Sequence, residues 1–296
     1  MILFVFLLFS SLIVSSSSIQ TQESAFTQCF TNVTQSPNLL AFSGTSSYKI
    51  ILRSSVKNQR FLFSPETSKP ALIVSAGDES HVQAAVICAR AAGLQIRVRS
   101  GGHDYEGQSY SAFGGNASFF LTVDISGLRS ISFDSGHNSA WVQAGATLGE
   151  LYYAVAKDHP TKAFPAGICP TVGVGGHVCG GGIGTLTRKF GTAADNVLDA
   201  RIVDYTGRLL DMSTMGEDLF WAVRGGGSSG FGILVAFKVQ LANVPPVVTV
   251  FNVGRYIYEK KLILVLELSL KSSIVKVVEA ERHQAGGALA GGGTGA

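Results

Sequence analysis

Charged residues are scarce in this sequence and are not gathered into clusters. They make up 15% of the 296 residues, and 23 Lys and Arg against 20 Asp and Glu leave a net charge of +3. The basic residues form no cluster interleaved with aromatic side chains, so the electrostatic pattern of a nucleic-acid-binding protein is missing. Hydrophobic residues make up 46% of the chain, a share that excludes an intrinsically disordered protein. We therefore expect a globular protein that does not bind nucleic acid.

The sequence also lacks a hydrophobic run long enough to cross a membrane. The apolar run Met1–Val14 is shorter than the roughly 20 residues that a transmembrane helix needs. Four serines follow it, and this order predicts a signal peptide over residues 1–18; a buried N-terminal strand is the alternative. We expect a secreted protein with no membrane span in its mature form. Sequons at Asn32 and Asn116 fit a secreted glycoprotein.

Cysteines are few: Cys29, Cys88, Cys169 and Cys179. In an oxidising compartment four cysteines favour disulfides, with three possible pairings. Cys88 lies in a helix whose predicted start is the capping box Ser80-His81-Val82-Gln83. We predict a disulfide between Cys29 and Cys88, which would tether the mature N-terminus to the first domain. Cys169 and Cys179 share a glycine-rich stretch, and a bond between them stays open.

The spacing of apolar residues predicts alternating strands and helices. A strand over 71–74, an amphipathic helix that contains Val82 and Ala89 and ends at Gly93, and a strand over 94–98 form a β–α–β unit. This unit leads into a glycine-rich turn, where α/β folds tend to bind ligands. The segment 173–191 is too rich in glycine for regular structure. Further predicted elements are strands over 119–123, 130–133 and 140–144, a helix over 147–157 that opens with Thr147-Leu148-Gly149-Glu150, a hairpin over 197–212 turning at Thr206-Gly207, a helix over 217–224 and a strand over 231–241.

Two loops place a nucleophilic side chain among glycines. The first is Arg99-Ser100-Gly101-Gly102-His103-Asp104-Tyr105, and the second runs from Gly167-Ile168-Cys169 to Gly175-Gly176-His177. Glycines in such loops let backbone N–H groups approach a ligand closely. Taken alone, His103 could be an ordinary polar loop residue, and Cys169 could be a buried or disulfide-bonded thiol.

A third glycine motif, Gly225-x-Gly227-x-x-Gly230, matches the dinucleotide-binding pattern GxGxxG. That pattern binds a pyrophosphate when it follows a strand and opens a helix. Here a predicted helix precedes the motif and a predicted strand follows it. We therefore do not interpret it as a Rossmann site.

Both nucleophile loops resemble the flavin loops of plant berberine bridge enzyme-like oxidases. These proteins have a PCMH-type FAD-binding domain and belong to the vanillyl-alcohol-oxidase superfamily. The first match continues through Glu106–Tyr110, and the second through Gly180–Gly184 and Arg188–Gly191. Residues 194–197 and 218–222 match as well. The resemblance implies an α+β fold in which two α/β subdomains enclose the flavin.

In that family the histidine matching His103 carries the flavin 8α-methyl group, and the cysteine matching Cys169 carries the C6 position. The resemblance therefore implies bicovalent FAD, attached at chemically suitable nucleophiles. A cysteine bound to flavin cannot form a disulfide, which leaves Cys179 as a free, buried thiol without a role. The other FAD-binding residues that the resemblance implies are Arg99, Ser100, Gly101, Gly102, Asp104, Ser109, Gly173, Gly176, His177, Gly182, Asn196 and Val197.

The resemblance also assigns roles towards substrate and oxygen. Relatives use the position of Tyr105 to hydrogen-bond the substrate or a neighbouring base, although a tyrosine packed under the flavin is the alternative. A valine at the position of Val172 leaves oxygen access to the flavin, whereas Leu or Ile hinders it. His177 is either a second flavin contact or a hydrogen-bonded core histidine. Ile183 stands where many relatives have Tyr or Phe, so the wall of the active site differs.

The resemblance runs from about residue 29 to about residue 254. It divides the mature chain into an N-terminal segment over 19–66, an FAD-binding domain over 67–244 and the start of a substrate domain over 245–259. Residues 260–296 are an atypical low-complexity tail, unlike the longer family sequence that holds the catalytic base, and we expect a truncated chain.

The function implied is that of a secreted FAD-linked oxidase. It would transfer a hydride from an alcohol carbon or a carbon next to an amine to FAD, and O2 would then give H2O2. The expected partners are a small-molecule substrate and O2, and no metal site is predicted. The alternatives are an FAD-binding remnant without turnover and a carbohydrate-binding wall protein, which would show exposed aromatic platforms.

Overall fold

The computed structural model describes residues 20–54, 56–64, 67–113, 119–228 and 230–247. The predicted signal peptide, Asn116, the tail and most of the predicted substrate-domain segment lie outside these ranges. The helices are α1 (20–34), α2 (Ser46–Ser54), α3 (Gln59–Phe63), α4 (Glu79–Ala92), α5 (Leu148–Asp158), α6 (Val174–Cys179), α7 (Thr187–Phe190), α8 (Met212–Met215) and α9 (Glu217–Ala222). The strands are β1 (Leu40–Phe42), β2 (Thr67–Ser68), β3 (Leu72–Ser75), β4 (Gln95–Arg99), β5 (Ala112–Phe113), β6 (Phe120–Asp124), β7 (Ile131–Phe133), β8 (Ser139–Gln143), β9 (Lys162–Ala163), β10 (Val197–Val203), β11 (Leu209–Leu210), β12 (Ile233–Gln240) and β13 (Ala242–Asn243). No helix in the described ranges is long and apolar enough to cross a membrane.

The first subdomain is built on a four-stranded sheet in the order β1-β3-β6-β4. Strands β3 and β4 both pair in parallel with β6, which therefore separates the two strands of the predicted β–α–β unit. All five residues of β6 are buried, as expected of the inner strand of a parallel sheet. Helices α1 and α4 contribute Phe26, Phe30, Val82 and Ala85 to the core of this subdomain.

Helix α4 begins earlier than the capping box at Ser80 predicted. Asp78 is its N-cap, and its carboxylate accepts a hydrogen bond from the His81 backbone N–H at 3.0 Å. The Ser80 hydroxyl instead donates to the same carboxylate, at 2.6 Å. A carboxylate at the N-cap accepts a hydrogen bond from a free backbone N–H, and its negative charge interacts favourably with the positive end of the helix dipole. The predicted end is confirmed, because Gly93 is left-handed with φ 67°.

The second subdomain is built on an antiparallel sheet in the order β11-β10-β12-β8-β7. Helix α5 covers it with Leu148, Leu151 and Val155, which lie in the second core. The predicted capping box of α5 is confirmed, with Thr147 and Glu150 bonding each other's backbone N–H. The predicted hairpin is confirmed as well, since β10 pairs with β11.

The glycine-rich segment 173–191 is not irregular, as the sequence had suggested, because it contains α6 and α7. Helix α6 lies directly on the end of β8. The N–H of Gly175 donates to the carbonyl of Ala144 at 2.9 Å, and a Cβ on Gly175 would meet that same oxygen at 2.9 Å. Glycine is therefore required here by close packing, and the helix is stabilised by that tertiary contact in spite of its low propensity.

Cys29 in α1 and Cys88 in α4 form a disulfide, the pairing expected from the sequence. It fastens the first helix to the first subdomain. Cys179 is free and buried, also as expected. The described residues thus confirm an α+β fold of two subdomains, each with its own sheet. The first core also contains Val203 of β10 and Ile233 and Val235 of β12, so the second sheet packs against the first subdomain.

Candidate functional site

A cleft of about 1040 Å³ is lined by residues of both subdomains. Strand β4 and the loop after it form one wall, while α6 and the start of β12 form the other. The volume lies at the upper end of the range for small-molecule sites. Among the residues predicted to bind FAD or admit oxygen, those that line the cleft are Ser100, Gly101, Gly102, His103, Asp104, Ser109, Val172, Gly173, Gly176 and His177.

The two nucleophile loops cross each other at Gly101 and Gly173. A Cβ built on Gly101 would lie 2.3 Å from the Gly173 backbone nitrogen, and one built on Gly173 would lie 2.1 Å from Ser100 Oγ. The Ser100 hydroxyl donates to the carbonyl of Ala144 at 2.7 Å, which fixes the first loop to the second subdomain. Only glycine at both positions lets the loops approach so closely.

His103 lies just beyond this crossing and contacts the other loop. Its Nε2 is 2.9 Å from Thr171 Oγ1. Burial lowers the pKa of His103, and the charge of Lys57 lowers it further, while a hydrogen bond with the Thr171 backbone acts in the opposite direction. Because the net shift is downwards, the imidazole is mostly neutral at pH 7.

Cys169 is an exposed free thiol, two residues before Thr171. It is not among the residues that line the cleft in the described part of the chain. Its loop is fixed on both sides. The Gly149 N–H in α5 donates to the carbonyl of Pro170 at 2.9 Å, and the Tyr152 hydroxyl donates to the carbonyl of Gly167 at 2.5 Å.

His177 has a hydrogen-bonded position in α6. The backbone N–H of Gly167 donates to its Nε2 at 2.9 Å, so this nitrogen carries no proton. Burial lowers the pKa of His177 and favours the same neutral form. His177 is therefore a hydrogen-bonded histidine, and it holds the backbone of Gly167, two positions before Cys169. Because His177 also lines the cleft, a flavin contact stays a prediction.

Arg99 is fully buried, and its guanidinium is occupied away from the cleft. Its Nε donates to the Asp124 carboxylate at 3.1 Å, and its Nη2 donates to the carbonyl of Ile51 at 2.9 Å. A buried ion pair needs such extra hydrogen bonds to offset its desolvation. A contact between Arg99 and FAD would thus have to come from its backbone.

Three more predicted FAD-binding residues lie outside the described lining of the cleft and brace loops instead. Asn196 Nδ2 donates to the carbonyls of Phe190 and Thr192, at 2.8 Å each. The carbonyl of Gly182 accepts the Ala193 N–H at 2.9 Å. Val197 is buried in the second core.

Tyr105 is 84% exposed. Together with His103 it lines a second, smaller pocket of about 500 Å³, to which Lys57 and Arg60 also belong. The backbone carbonyl of Tyr105 accepts a hydrogen bond from Asn58 Nδ2 at 3.0 Å. Its role towards substrate stays a prediction.

The loop with the GxGxxG pattern lines the cleft without being a Rossmann turn. It follows α9 and precedes β12, in the order that the sequence predicted. The N–H groups of Gly225 and Gly227 donate to the carbonyl of Cys179 at 2.9 and 2.8 Å. Burial raises the pKa of the Cys179 thiol, so it is held as an unreactive SH group.

The sequence analysis missed Thr171 and Lys57 as neighbours of His103. Thr171 lies inside the second motif, but nothing in the sequence shows that its hydroxyl meets an imidazole 68 positions away. Lys57 is placed by the connection between α2 and α3, which carries no motif. Asp204 and Phe231, which also line the cleft, were missed for the same reason.

The cleft is suited to FAD by its backbone surface. At Gly176, Gly227 and Gly230 an added Cβ would meet no atom within 4 Å, so open space begins at the main chain. A wall of this kind lets free backbone N–H groups approach phosphate and carbonyl oxygens, although the N–H of Gly227 is already bonded to Cys179. Val172 and Phe231 line the cleft with apolar side chains.

Residues 70–213 match the family FAD_binding_4, described as an FAD binding domain. The chain is 50% identical over 252 residues to O-acetylstemmadenine oxidase of Catharanthus roseus, covering 84% of this chain and 46% of the relative. It is 51% identical over 255 residues to tetrahydroberberine oxidase of Berberis wilsoniae, covering 86% and 47%.

The solved structure of wild-type Phl p 4.0202, a glucose dehydrogenase, superimposes with a TM-score of 0.72 at 48% identity, covering 75% of this chain and 44% of that one. A Phl p 4 variant in which one isoleucine is replaced by valine, a glucose oxidase, superimposes equally well, with a TM-score of 0.72. The chain thus spans less than half the length of these relatives. With a PCMH-type FAD-binding fold and about 50% identity to its relatives, this chain belongs to the berberine bridge enzyme-like family of FAD-linked oxidoreductases.

Proposed function

We propose that this chain is the FAD-binding part of a secreted oxidase with FAD attached to both His103 and Cys169. Bound FAD supplies the hydride acceptor for an alcohol carbon or a carbon next to an amine, and its reoxidation by O2 yields H2O2. The observation that carries the proposal is the crossing of the two loops at Gly101 and Gly173. It brings both nucleophile-bearing segments to one cleft.

The state of each nucleophile supports attachment. His103 lines the cleft and has a lowered pKa, so an unprotonated ring nitrogen is available for bond formation. Cys169 is free and exposed, and therefore open to reaction in its thiolate form. Cys179, the other free cysteine, is buried with a raised pKa and is the weaker nucleophile.

The substrate class rests on the relatives. Two of them are named as oxidases, of O-acetylstemmadenine and of tetrahydroberberine, and a third is named a glucose dehydrogenase. A small molecule oxidised at an alcohol or amine-adjacent carbon covers these cases. The Cys29–Cys88 disulfide and the exposed sequon residue Asn32 suit a protein that passes through the secretory pathway.

Val172 supports an oxidase more than a dehydrogenase. It lines the cleft, and its N–H contacts the carbonyl of Cys169 at 3.3 Å, so it lies beside the proposed attachment point. In a relative, one Ile-to-Val change separates a glucose dehydrogenase from a glucose oxidase. We infer that the short side chain of Val172 leaves O2 a path to the flavin.

Covalent attachment is tested by denaturing and precipitating the purified chain. We expect the wild-type pellet to stay yellow, and His103→Ala combined with Cys169→Ala to release all flavin to the supernatant. Cys179→Ser is the matched control and should retain its flavin. A colourless wild-type pellet, or a yellow pellet from the double variant, would contradict the proposed attachment.

An FAD-binding remnant without turnover is the second candidate, and the presence or absence of a catalytic base decides between the two. Oxidation of an alcohol needs a base within hydrogen-bond reach of the substrate proton, and the described residues identify none. Anaerobic mixing with glucose or an alkaloid amine separates the two. Bleaching of the flavin supports an oxidase, and an unchanged spectrum supports the remnant.

A further inference from the structure

We propose that Thr171 is a positioning residue for His103: its hydroxyl holds Nε2 and leaves Nδ1 as the nitrogen that attaches to FAD. The inference rests on the proposed covalent attachment and adds a residue to it. The contact on which it depends is the 2.9 Å hydrogen bond between His103 Nε2 and Thr171 Oγ1.

The backbone fixes this contact from both sides. His103 lies two residues after Gly101, and Thr171 lies two residues before Gly173, so both side chains leave from the point where the loops cross. The crossing is too close for either segment to slide without a backbone clash. The Leu148 N–H also donates to the carbonyl of Val172 at 2.9 Å, which holds the Thr171 segment against α5.

We infer the direction of the hydrogen bond from the groups that Thr171 presents to the imidazole. The hydroxyl oxygen lies 2.9 Å from Nε2 and can accept a proton, and a separate hydrogen bond with the Thr171 backbone favours the protonated ring. Burial and Lys57 oppose a second proton. A neutral imidazole has one N–H and one lone pair. We therefore infer that Nε2 is the donor to Thr171 Oγ1 and that the lone pair belongs to Nδ1.

Attachment through Nδ1 is balanced as follows. A bond forms between Nδ1 and the flavin 8α carbon as one C–H bond of that methyl group breaks. The methyl proton and the Nε2 proton are released to the reduced flavin, which has gained two electrons. O2 removes these electrons and two protons as H2O2. The Thr171 hydroxyl stabilises the positive charge that grows on the imidazole while the new bond forms.

Peptide mapping measures the two links separately and tests this role. Without the hydroxyl, Thr171→Val should form the histidyl link about tenfold to a hundredfold more slowly, the effect expected for losing a hydrogen bond to a group that becomes charged. The cysteinyl link at Cys169 should persist. Thr171→Ser should restore the histidyl link, and Thr161→Val, an exposed threonine elsewhere, should change neither.

If Thr171 acted only in folding, its substitution by valine would lower the occupancy of the histidyl and cysteinyl links together. Equal histidyl occupancy in Thr171→Val and wild type, or parallel loss of both links, would overturn the proposal.

Nitrogen-15 NMR of the flavin-free chain gives a second measurement. Wild-type His103 should show a protonated Nε2 and an unprotonated Nδ1, and Thr171→Val should show a mixture of both tautomers. The opposite wild-type tautomer would refute the role of Thr171 by itself. If the wild-type chain carries no covalent flavin, the proposed function fails, and the NMR result still decides whether Thr171 sets the tautomer.

Discussion

The crossing of the two loops makes Gly101→Ala a sharp test of the site. The added Cβ would lie 2.3 Å from the Gly173 nitrogen and 2.9 Å from its Cα. The first of these distances is more than 1 Å shorter than an ordinary van der Waals contact. Both neighbours are backbone atoms, so no flexible side chain can yield. The φ of Gly101 lies outside the left-handed region, and the cost is therefore steric alone.

The magnitude follows from the cost of overpacking. Inserting a methyl group into a well-packed interior costs about 1–3 kcal/mol, and a backbone neighbour places this case at the upper end. For a protein of this size each kcal/mol lowers Tm by roughly 2–4 °C. We expect Gly101→Ala to lower the free energy of unfolding by about 3 kcal/mol and Tm by roughly 6–12 °C. Separation of the loops should also reduce the histidyl flavin link.

Gly77→Ala is the matched control for this measurement. Gly77 follows the end of β3 by two residues, just as Gly101 follows the end of β4. A Cβ on Gly77 would meet only His81 Nδ1, at 3.9 Å. Thermal unfolding followed by circular dichroism would compare both variants with wild type. A Gly101→Ala chain that unfolds within about 2 °C of Gly77→Ala, a window no larger than the loss estimated for a single kcal/mol, would refute the steric argument.

Two further predictions concern oxygen and pH. Val172→Leu should slow the air reoxidation of chemically reduced flavin, because a longer side chain narrows the access beside Cys169; an unchanged rate would remove Val172 as the oxygen gate. Burial acts to raise the pKa of Asp204, but hydrogen bonds from Thr206 and Arg208 outweigh it and lower the pKa to about 2. Its stabilisation is therefore complete above the unfolded value near pH 4 and is lost as pH falls towards 2. Asp204→Asn should lower the free energy of unfolding by about 2 kcal/mol at pH 7, and the decline in Tm between pH 4 and pH 2 should be flatter in the variant than in the wild type. An equally steep decline in the variant would contradict this.

Features that depend on neighbouring residues were predictable from the sequence. The hairpin turning at Thr206-Gly207 and the capping box of Thr147 and Glu150 were placed correctly. Gly93 was placed correctly as the end of α4. In each case the residue type fixes a turn or satisfies an N–H within a few positions. The two nucleophile loops could be recognised for the same reason, because His103 and Cys169 lie inside continuous segments.

Features that depend on distant residues were not predictable. The place of β6 between β3 and β4 is set by pairing across long stretches of chain. Arg99 is the first residue of the first motif, and nothing in that motif shows that Asp124, 25 positions later, binds its guanidinium in the interior. Helix α6 was missed because glycine content indicates local flexibility, while its contact with Ala144 lies outside any local pattern.

The position of β12 has a consequence for biosynthesis. This strand is nearly the last described element of the chain, and it lies at the centre of the second sheet, between β10 and β8. Its pairing joins Phe237 to Val142, so the sheet cannot close until the ribosome has passed residue 240. Pairings this distant in sequence fold slowly, and until then β8 presents an open strand edge that invites aggregation. The Cys29–Cys88 pair, 59 positions apart, is available much earlier. Oxidation in the first subdomain can therefore precede closure of the second, and the flavin cleft becomes complete only after translation of β12.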